Sequence, residues 1–270
     1  MTWNKKALTA RKADKFSLYQ LSVQEPSWEC AFIDRVYRKL YQRRPMVLRE
    51  DFCGTAAVCC AWVQSRWGRT AYGVDLDPSP LTWAREHNLA RLNPLAQSSV
   101  TLLQQDVRRP GPKNVDVIAA QNFSWMVFQT RAELRDYFKK ARRNLNLEGM
   151  LVLDTMGGPG MMEEGLREKR RRKGFTYIWE QERFDPIRQN LVCHIHFGFP
   201  DGTEMRRAFT YDWRLWMLPD VVELLTESGF GRVDVYWEDA GLAGKGTGVY
   251  RLRKKAQNEK AWVAYLVATP

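Results

Sequence analysis

Apolar positions along this chain follow two rhythms. Up to residue 155, short continuous apolar runs alternate with stretches in which apolar residues recur every three or four positions. The runs at 46–50, 70–75, 100–103, 115–120 and 150–154 predict strands, and 55–67, 81–92 and 131–145 predict helices. The last of these helices aligns Leu134, Tyr137, Phe138, Ala141 and Leu145 on one stripe. The 115–120 run is apolar almost throughout, as in a strand covered on both faces. Such alternation implies parallel βαβ units and an α/β fold. Ahead of it, residues 1–44 read as basic and helical, with Phe32, Val36 and Leu40 at helical spacing and Pro45 as the stop. Beyond residue 155 the rhythm changes. Residues 161–173 read as a charged helix. Residues 175–183, 191–199 and 204–211 alternate apolar and polar around a turn at 200–203, which predicts a three-stranded antiparallel insertion. A helix at 219–228, stopped by Gly229, and strands at 233–237 and 262–267 complete the chain, with the glycine-rich stretch 241–248 as a mobile connector.

One junction is more informative than the rest. Residues 47–77 read VLREDFCGTAAVCCAWVQSRWGRTAYGVDLD. The first strand ends in Glu50 and Asp51, a tight turn holds Gly54 and Thr55, Thr55 is placed to cap the following helix, and the second strand ends in Asp75. In an open parallel sheet this order gathers a turn, a helix N-terminus and a carboxylate around one crevice, the half-site for a nucleoside-bearing ligand. Gly54 lets backbone approach that ligand closely. Asp75 is placed to accept hydrogen bonds from ribose hydroxyls, and Leu76 to touch the base. A dinucleotide site needs several glycines so that backbone can reach a pyrophosphate. This turn has one, which points to a ligand without phosphate.

The same stretch resembles the cofactor site of class I S-adenosylmethionine (SAM)-dependent methyltransferases. Their first motif runs acid-x-Gly-x-Gly-x-Gly, and the matching positions here are Glu50, Phe52, Gly54 and Ala56. The order of elements over residues 30–270 is similar to that fold. The resemblance implies a Rossmann-like, doubly wound α/β sheet of seven strands, the last antiparallel. It also implies a small antiparallel β insertion after the fifth strand, as in small-molecule methyltransferases that include the glycine and amino-sugar N-methyltransferases. Residues 1–44 would then be an N-terminal helical cap, 45–155 the SAM-binding core, 156–216 an insertion on the substrate side, and 217–270 the C-terminal part of the core. By the same resemblance the cofactor is SAM and the product S-adenosylhomocysteine. Glu50 would contact the amino or sulfonium side of SAM, and Asp106 the adenine amino group with Val107 alongside. Tyr19 would belong to a cap closing over the donor. Asn122 and Ser124 follow the fourth strand, which in this fold ends beside the transferable methyl. They would orient the substrate, or bond the SAM amino group in the case of Asn122. Trp125 would stack on the substrate or pack in the core.

Composition adjusts this picture in a few places. The 270-residue chain carries a formal net charge of +11, compatible with nucleic acid, an anionic surface or an anionic substrate. Its densest basic run, 167–173, reads as the solvated face of a helix. Five cysteines without a Cys-x-x-Cys pair read as core thiols of a reducing compartment, hence a cytoplasmic protein, with Cys53 either reactive or a filler in the turn. No apolar run approaches the ~20 residues that span a bilayer, so no membrane partner is expected.

His194 and His196 lie two apart on a predicted strand and so share a face. They suit a base, a metal pair, or polar positions of a half-exposed sheet. No further ligand is spaced to complete a metal site, so none is expected. His87 reads as a surface residue. Trp179, Trp213 and Trp216 in or beside the insertion suit a cationic amine or plain packing, and Arg183, Arg207 and Arg214 suit a carboxylate or phosphate. These readings converge on methyl transfer to N or O of a small polar molecule by in-line displacement. An RNA or protein methyltransferase, or a non-catalytic SAM-binding protein, are the rival expectations. The acceptor and the oligomeric state are not legible.

Overall fold

A computed structural model describes residues 8–240 and 246–270. Helices α1 (Lys15–Val23) and α2 (Pro26–Tyr41) lead into β1 (Val47–Asp51), α3 (Ala57–Ser65), β2 (Thr70–Asp75), α4 (Pro78–His87), α5 (Pro94–Ser98), β3 (Val100–Gln104), β4 (Val115–Ala120), α6 (Arg131–Asn144) and β5 (Leu145–Gly157). The insertion supplies β6 (Leu166–Arg172), β7 (Phe175–Asp185), β8 (Asn190–Gly198) and β9 (Glu204–Arg214). Then come α7 (Leu218–Glu227), β10 (Arg232–Ala240), β11 (Gly246–Leu252) and β12 (Trp262–Thr269).

The main sheet runs β11-β10-β12-β5-β4-β1-β2-β3. Strands β1 to β5 are mutually parallel and β12 is antiparallel to both β5 and β10. Strand order reverses at β1/β4, so the crevice of an open α/β sheet falls at their carboxyl ends. One apolar cluster joins the sheet to α6 and α7, and another joins it to α2 and α3. Strand β4 is buried along its whole length between them, as its apolar run predicts. Among the described residues no helix is long and apolar enough to cross a membrane.

Several expectations need correction. Among the described residues the main sheet has eight strands rather than seven. The extra one, β11, lies at the edge, where residues 246–252 pair antiparallel with β10 instead of forming a connector; residues 241–245 lie outside the described residues. The insertion has four strands rather than three, ordered β6-β7-β8-β9. The added strand is β6, expected as part of a helix over 161–173. Residues 159–162 form one 3-10 turn and the basic run then pairs along β7. Arginine and lysine tolerate an exposed edge strand well, because their charge blocks further edge pairing. Thr55 is not the cap of α3. That position is Ala56, with a left-handed backbone and no capping side chain. The region 81–92 contains the end of α4, a break and a 3-10 turn.

Helix α2 ends at Gln42, whose φ of 56° places an exposed, non-glycine residue in the left-handed region. Gln42→Gly removes the Cβ strain there, against a smaller loss to unfolded-chain entropy. It is expected to stabilise the protein by about 1 kcal/mol in denaturant unfolding. A lowered stability would contradict this account of the cap.

Candidate active site

The turn after β1 keeps the backbone shape of a triple-glycine motif although two of its glycines are gone. Phe52, Gly54 and Ala56 have φ of 57°, 51° and 53°. Phe52 is held by packing, its ring 6.0 Å from both Phe128 and Tyr137. The Gly54 N–H donates to Asp75 Oδ2 at 2.7 Å, and the Asp77 N–H to Asp75 Oδ1 at 2.9 Å. Asp75 thus ties the end of β2 to the turn, with lone pairs left over for a ligand. Burial raises its pKa and these two N–H donors oppose the rise. Leu76 beside it is 69% exposed.

Glu50 is not a surface acid. It is buried, and its Oε2 accepts the Cys59 N–H at 3.0 Å in the first turns of α3. Burial pushes its carboxyl up to about 7 against hydrogen bonds from Cys59. Cys53 is buried too, and its thiol is pushed well above the usual range by burial and then by Glu50 and Asp75. A thiol so held is inert, and all five cysteines are buried and unpaired.

At the end of β3, Asp106 is held bidentately by Arg108, with Nη2–Oδ2 at 2.6 Å, and that contact lowers its pKa. Val107 is buried in the core, and its carbonyl accepts Arg49 Nη2 at 2.6 Å. Asn122 and Phe123 at the end of β4 both have positive φ, 57° and 58°. Their N–H groups donate to the two oxygens of Asp154 at 2.7 and 2.8 Å. Burial pushes Asp154 up to about 7 despite these donors. Ser124 begins the 3-10 turn Ser124–Val127 and is half-buried. Trp125 is core, its indole N–H donating to the Asp154 carbonyl at 2.6 Å.

Helix α1 and the four-stranded sheet both make contacts at this edge of the main sheet. Gln20 on α1 donates from Nε2 to Thr55 Oγ1 in the turn at 2.6 Å. Tyr19 lies 4.8 Å from the Phe209 ring and is hydrogen-bonded to Tyr211, with burial raising its phenol pKa. The Arg172 guanidinium donates to the Ser22 carbonyl at 3.0 Å. One face of the insertion sheet is aromatic. Tyr211 stacks on Trp213 at 4.3 Å, with Trp179 6.2 Å from each. Trp213 meets Phe123 at 6.1 Å, so this face reaches the turn after β4. Trp216 is buried instead in the core under the Arg214 guanidinium.

The structure therefore gathers Tyr19, Glu50, Gly54, Asp75, Leu76 and Asn122 around the carboxyl ends of the strands, with Ser124 behind them and Asp106 and Val107 at the β3 end. It does not bring His194 there. In register, His194 pairs with Glu180 and Thr210, while Ile195 pairs with Trp179 and Phe209, which puts His194 on the face opposite the aromatic one. Its Nδ1 meets Thr210 Oγ1 at 2.9 Å and its Nε2 meets Glu182. His196 lies beside it, Nε2 2.8 Å from Glu180, and Arg207 pairs with Glu182. Both imidazoles are buried among these carboxylates and hydroxyls, on the face turned away from the aromatic one. His87 is half-exposed and stacks on Trp83 at 4.3 Å. Glu29, Gln121 and Asp154 escaped sequence reasoning. Asp154 ends an apolar run as Asp75 does, and Glu29 sits three and four residues before Phe32 and Ile33 on the apolar stripe of α2.

With this geometry in place, comparison with known proteins identifies the class. Residues 51–153 match the family model of a methyltransferase domain. A SAM-dependent methyltransferase from Clostridium acetobutylicum is 16% identical and superposes with a TM-score of 0.65, covering 94% of each chain. A sugar N-methyltransferase of Streptoalloteichus is 18% identical, with a TM-score of 0.65 over 100% of this chain and 96% of that one. A SAM-bound amino pentose methyltransferase of Micromonospora echinaspora is 17% identical, with a TM-score of 0.64 over 93% and 95%. No curated protein sequence is significantly similar. The fold is that of the class I methyltransferases. Residues 51–153 thus carry a methyltransferase domain, and SAM is the cofactor of methyltransferases with this fold.

Proposed function

We propose that this protein methylates a nitrogen of a small, polar amine. The observation that carries the reading is the aromatic face Trp179–Tyr211–Trp213, set against the turn after β4, which the buried carboxylate of Asp154 holds through the Asn122 and Phe123 N–H groups. Aromatic faces and carboxylates together favour a cationic or partly cationic group over a neutral hydroxyl. Two proteins of similar fold are described as acting on a sugar nitrogen and on an amino pentose, which agrees with this choice.

The residues present suit SAM. Asp75 would accept from the ribose hydroxyls, Leu76 and Val107 would meet the adenine ring, and Asp106 keeps a lone pair for the adenine amino group beside Arg108. Gly54 would let backbone approach, and Glu50 would face the positively charged end. SAM supplies a methyl group already activated by its sulfonium. The protein's own contribution is alignment and exclusion of water, and alignment alone is worth about 7–11 kcal/mol in favourable cases. Asn122 and Ser124 would orient the acceptor, held in place through the bonds of Asp154 to the turn. Tyr19 and Gln20 would close the cap.

The test is methyl transfer from SAM to a panel of paired acceptors, amino sugars and simple amines against their hydroxyl counterparts. Turnover is expected with members of the amine set, with a KM for SAM of about 1 μM to 1 mM. Transfer confined to hydroxyls, or to RNA, would overturn the amine reading.

A further inference from the structure

Glu29 enters the protein interior from the first turn of α2 and is 6% exposed. Its Oε1 is 3.5 Å from the Glu25 N–H, and its Oε2 has no hydrogen-bond partner. Gln121, directly after β4 and 5% exposed, has no partner for either amide atom. The charged groups acting on Glu29 are Glu50 from β1, Asp154 from β5 and Glu25 from its own segment, with the phenols of Tyr19 from α1 and Tyr265 from β12 also in range. All of these are acids. Among the described residues no lysine or arginine pairs with Glu29. Burying a carboxylate beside two others without a counter-charge is costly, and a cationic ligand offsets that cost.

We propose that Glu29 determines charge selectivity at the donor site, favouring the sulfonium-bearing SAM over its neutral thioether product S-adenosylhomocysteine, with Gln121 bonding the polar groups of either ligand. The proposal rests on the donor reading above and goes beyond it. The two ligands share the same nucleoside and amino-acid parts and differ by a methyl group and one positive charge. A site that reads only hydrogen bonds holds them alike, whereas a site with excess negative charge prefers SAM and helps the product leave.

Burial, then Glu50 and Asp154, push Glu29 up to about 8, so without a cation it holds its proton at neutral pH. A cation entering nearby lowers that value, and the proton is released. Affinity for SAM therefore rises with pH toward about 8, and affinity for S-adenosylhomocysteine rises less.

The experiment is calorimetric titration of the full chain with SAM and with S-adenosylhomocysteine at about pH 6.5 and about pH 8.5, in two buffers of different ionisation heat. The expected result is proton release on SAM binding near neutral pH, of order one per site, and a preference for SAM that grows about tenfold across this range. In Glu29→Gln, nearly the same size but without charge, both effects should shrink markedly, leaving only the share of Glu50 and Asp154. This variant should also melt higher than the native chain at neutral pH. A folded-state pKa above the unfolded value makes Glu29 most compatible with folding at low pH, and that compatibility is lost as pH rises. A preference independent of pH in the native chain overturns the proposal, and so does an unchanged pH response in Glu29→Gln. Binding of neither ligand overturns the donor reading itself, so the two failures are distinguishable.

Discussion

Replacing Arg49 by methionine should cost about 3–5 kcal/mol of stability, more than any other single change considered. Arg49 and Asp51 are both buried at the end of β1, with Nε 2.6 Å from Oδ1. Nη2 donates to the Val107 carbonyl, and Tyr137 donates its hydroxyl to Asp51 Oδ2 at 3.0 Å. The network ties β1 to the end of β3 and to α6, directly beside the turn after β1. Even with Arg49 present, burial raises the Asp51 pKa. Without it an uncompensated carboxylate stays in the core. Removing both charges is a different matter, since apolar groups of similar size often replace a buried pair with little loss. Arg49→Met combined with Asp51→Leu should therefore recover part of the stability, less the bond lost by Tyr137. Urea unfolding of the two variants decides. A loss below about 1 kcal/mol for Arg49→Met, or a double variant weaker than the single, would show that the pair does not hold this edge together.

Much of the parallel half of the sheet was legible because β1, β4 and β5 are largely buried and β1 and β2 end in acids. The run before Asp75 and the almost wholly apolar β4 read directly as strands. Strand β6 was not legible. Its residues carry almost no apolar periodicity and are largely exposed, and only pairing with β7 makes them a strand. Strand β11 escaped for a similar reason, since glycines at 246 and 248 weaken local strand preference that pairing with β10 overrides. The turn after β1 was legible from its acid and glycine positions, and it holds a left-handed backbone at Phe52 and Ala56 at the strain cost that non-glycine residues bear there. Period-two spacing correctly put His194 and His196 on one face. Which face meets the ligand is a tertiary fact, fixed by α1 packing against Phe209 on the other side. Glu29 could have been found as a carboxylate on an apolar helical stripe. That no cation pairs with it among the described residues could not, because that depends on strands far away in the chain.

Asp75→Ala should give the largest loss of donor binding. The carboxylate has two duties that the geometry keeps apart. One is internal, holding the Gly54 and Asp77 N–H groups at 2.7 and 2.9 Å. The other is the expected contact with the ribose, through lone pairs those donors leave free. A hydrogen bond to a charged group is worth about 1.5–3 kcal/mol, so losing one ribose bond weakens SAM binding by roughly 10- to 150-fold. Relaxation of the turn adds to this, because Gly54 loses the acceptor that fixes its N–H. Asp75→Asn separates the two duties. Its single carbonyl oxygen can serve the turn or the ribose but not both as well, so its affinity should fall between the native chain and Asp75→Ala. Calorimetry with S-adenosylhomocysteine measures the affinities, and a thermal melt of each variant shows that the fold is intact. Equal affinity in all three proteins would remove Asp75 from the donor site. A melt lowered in Asp75→Ala with affinity unchanged would leave it only the internal duty.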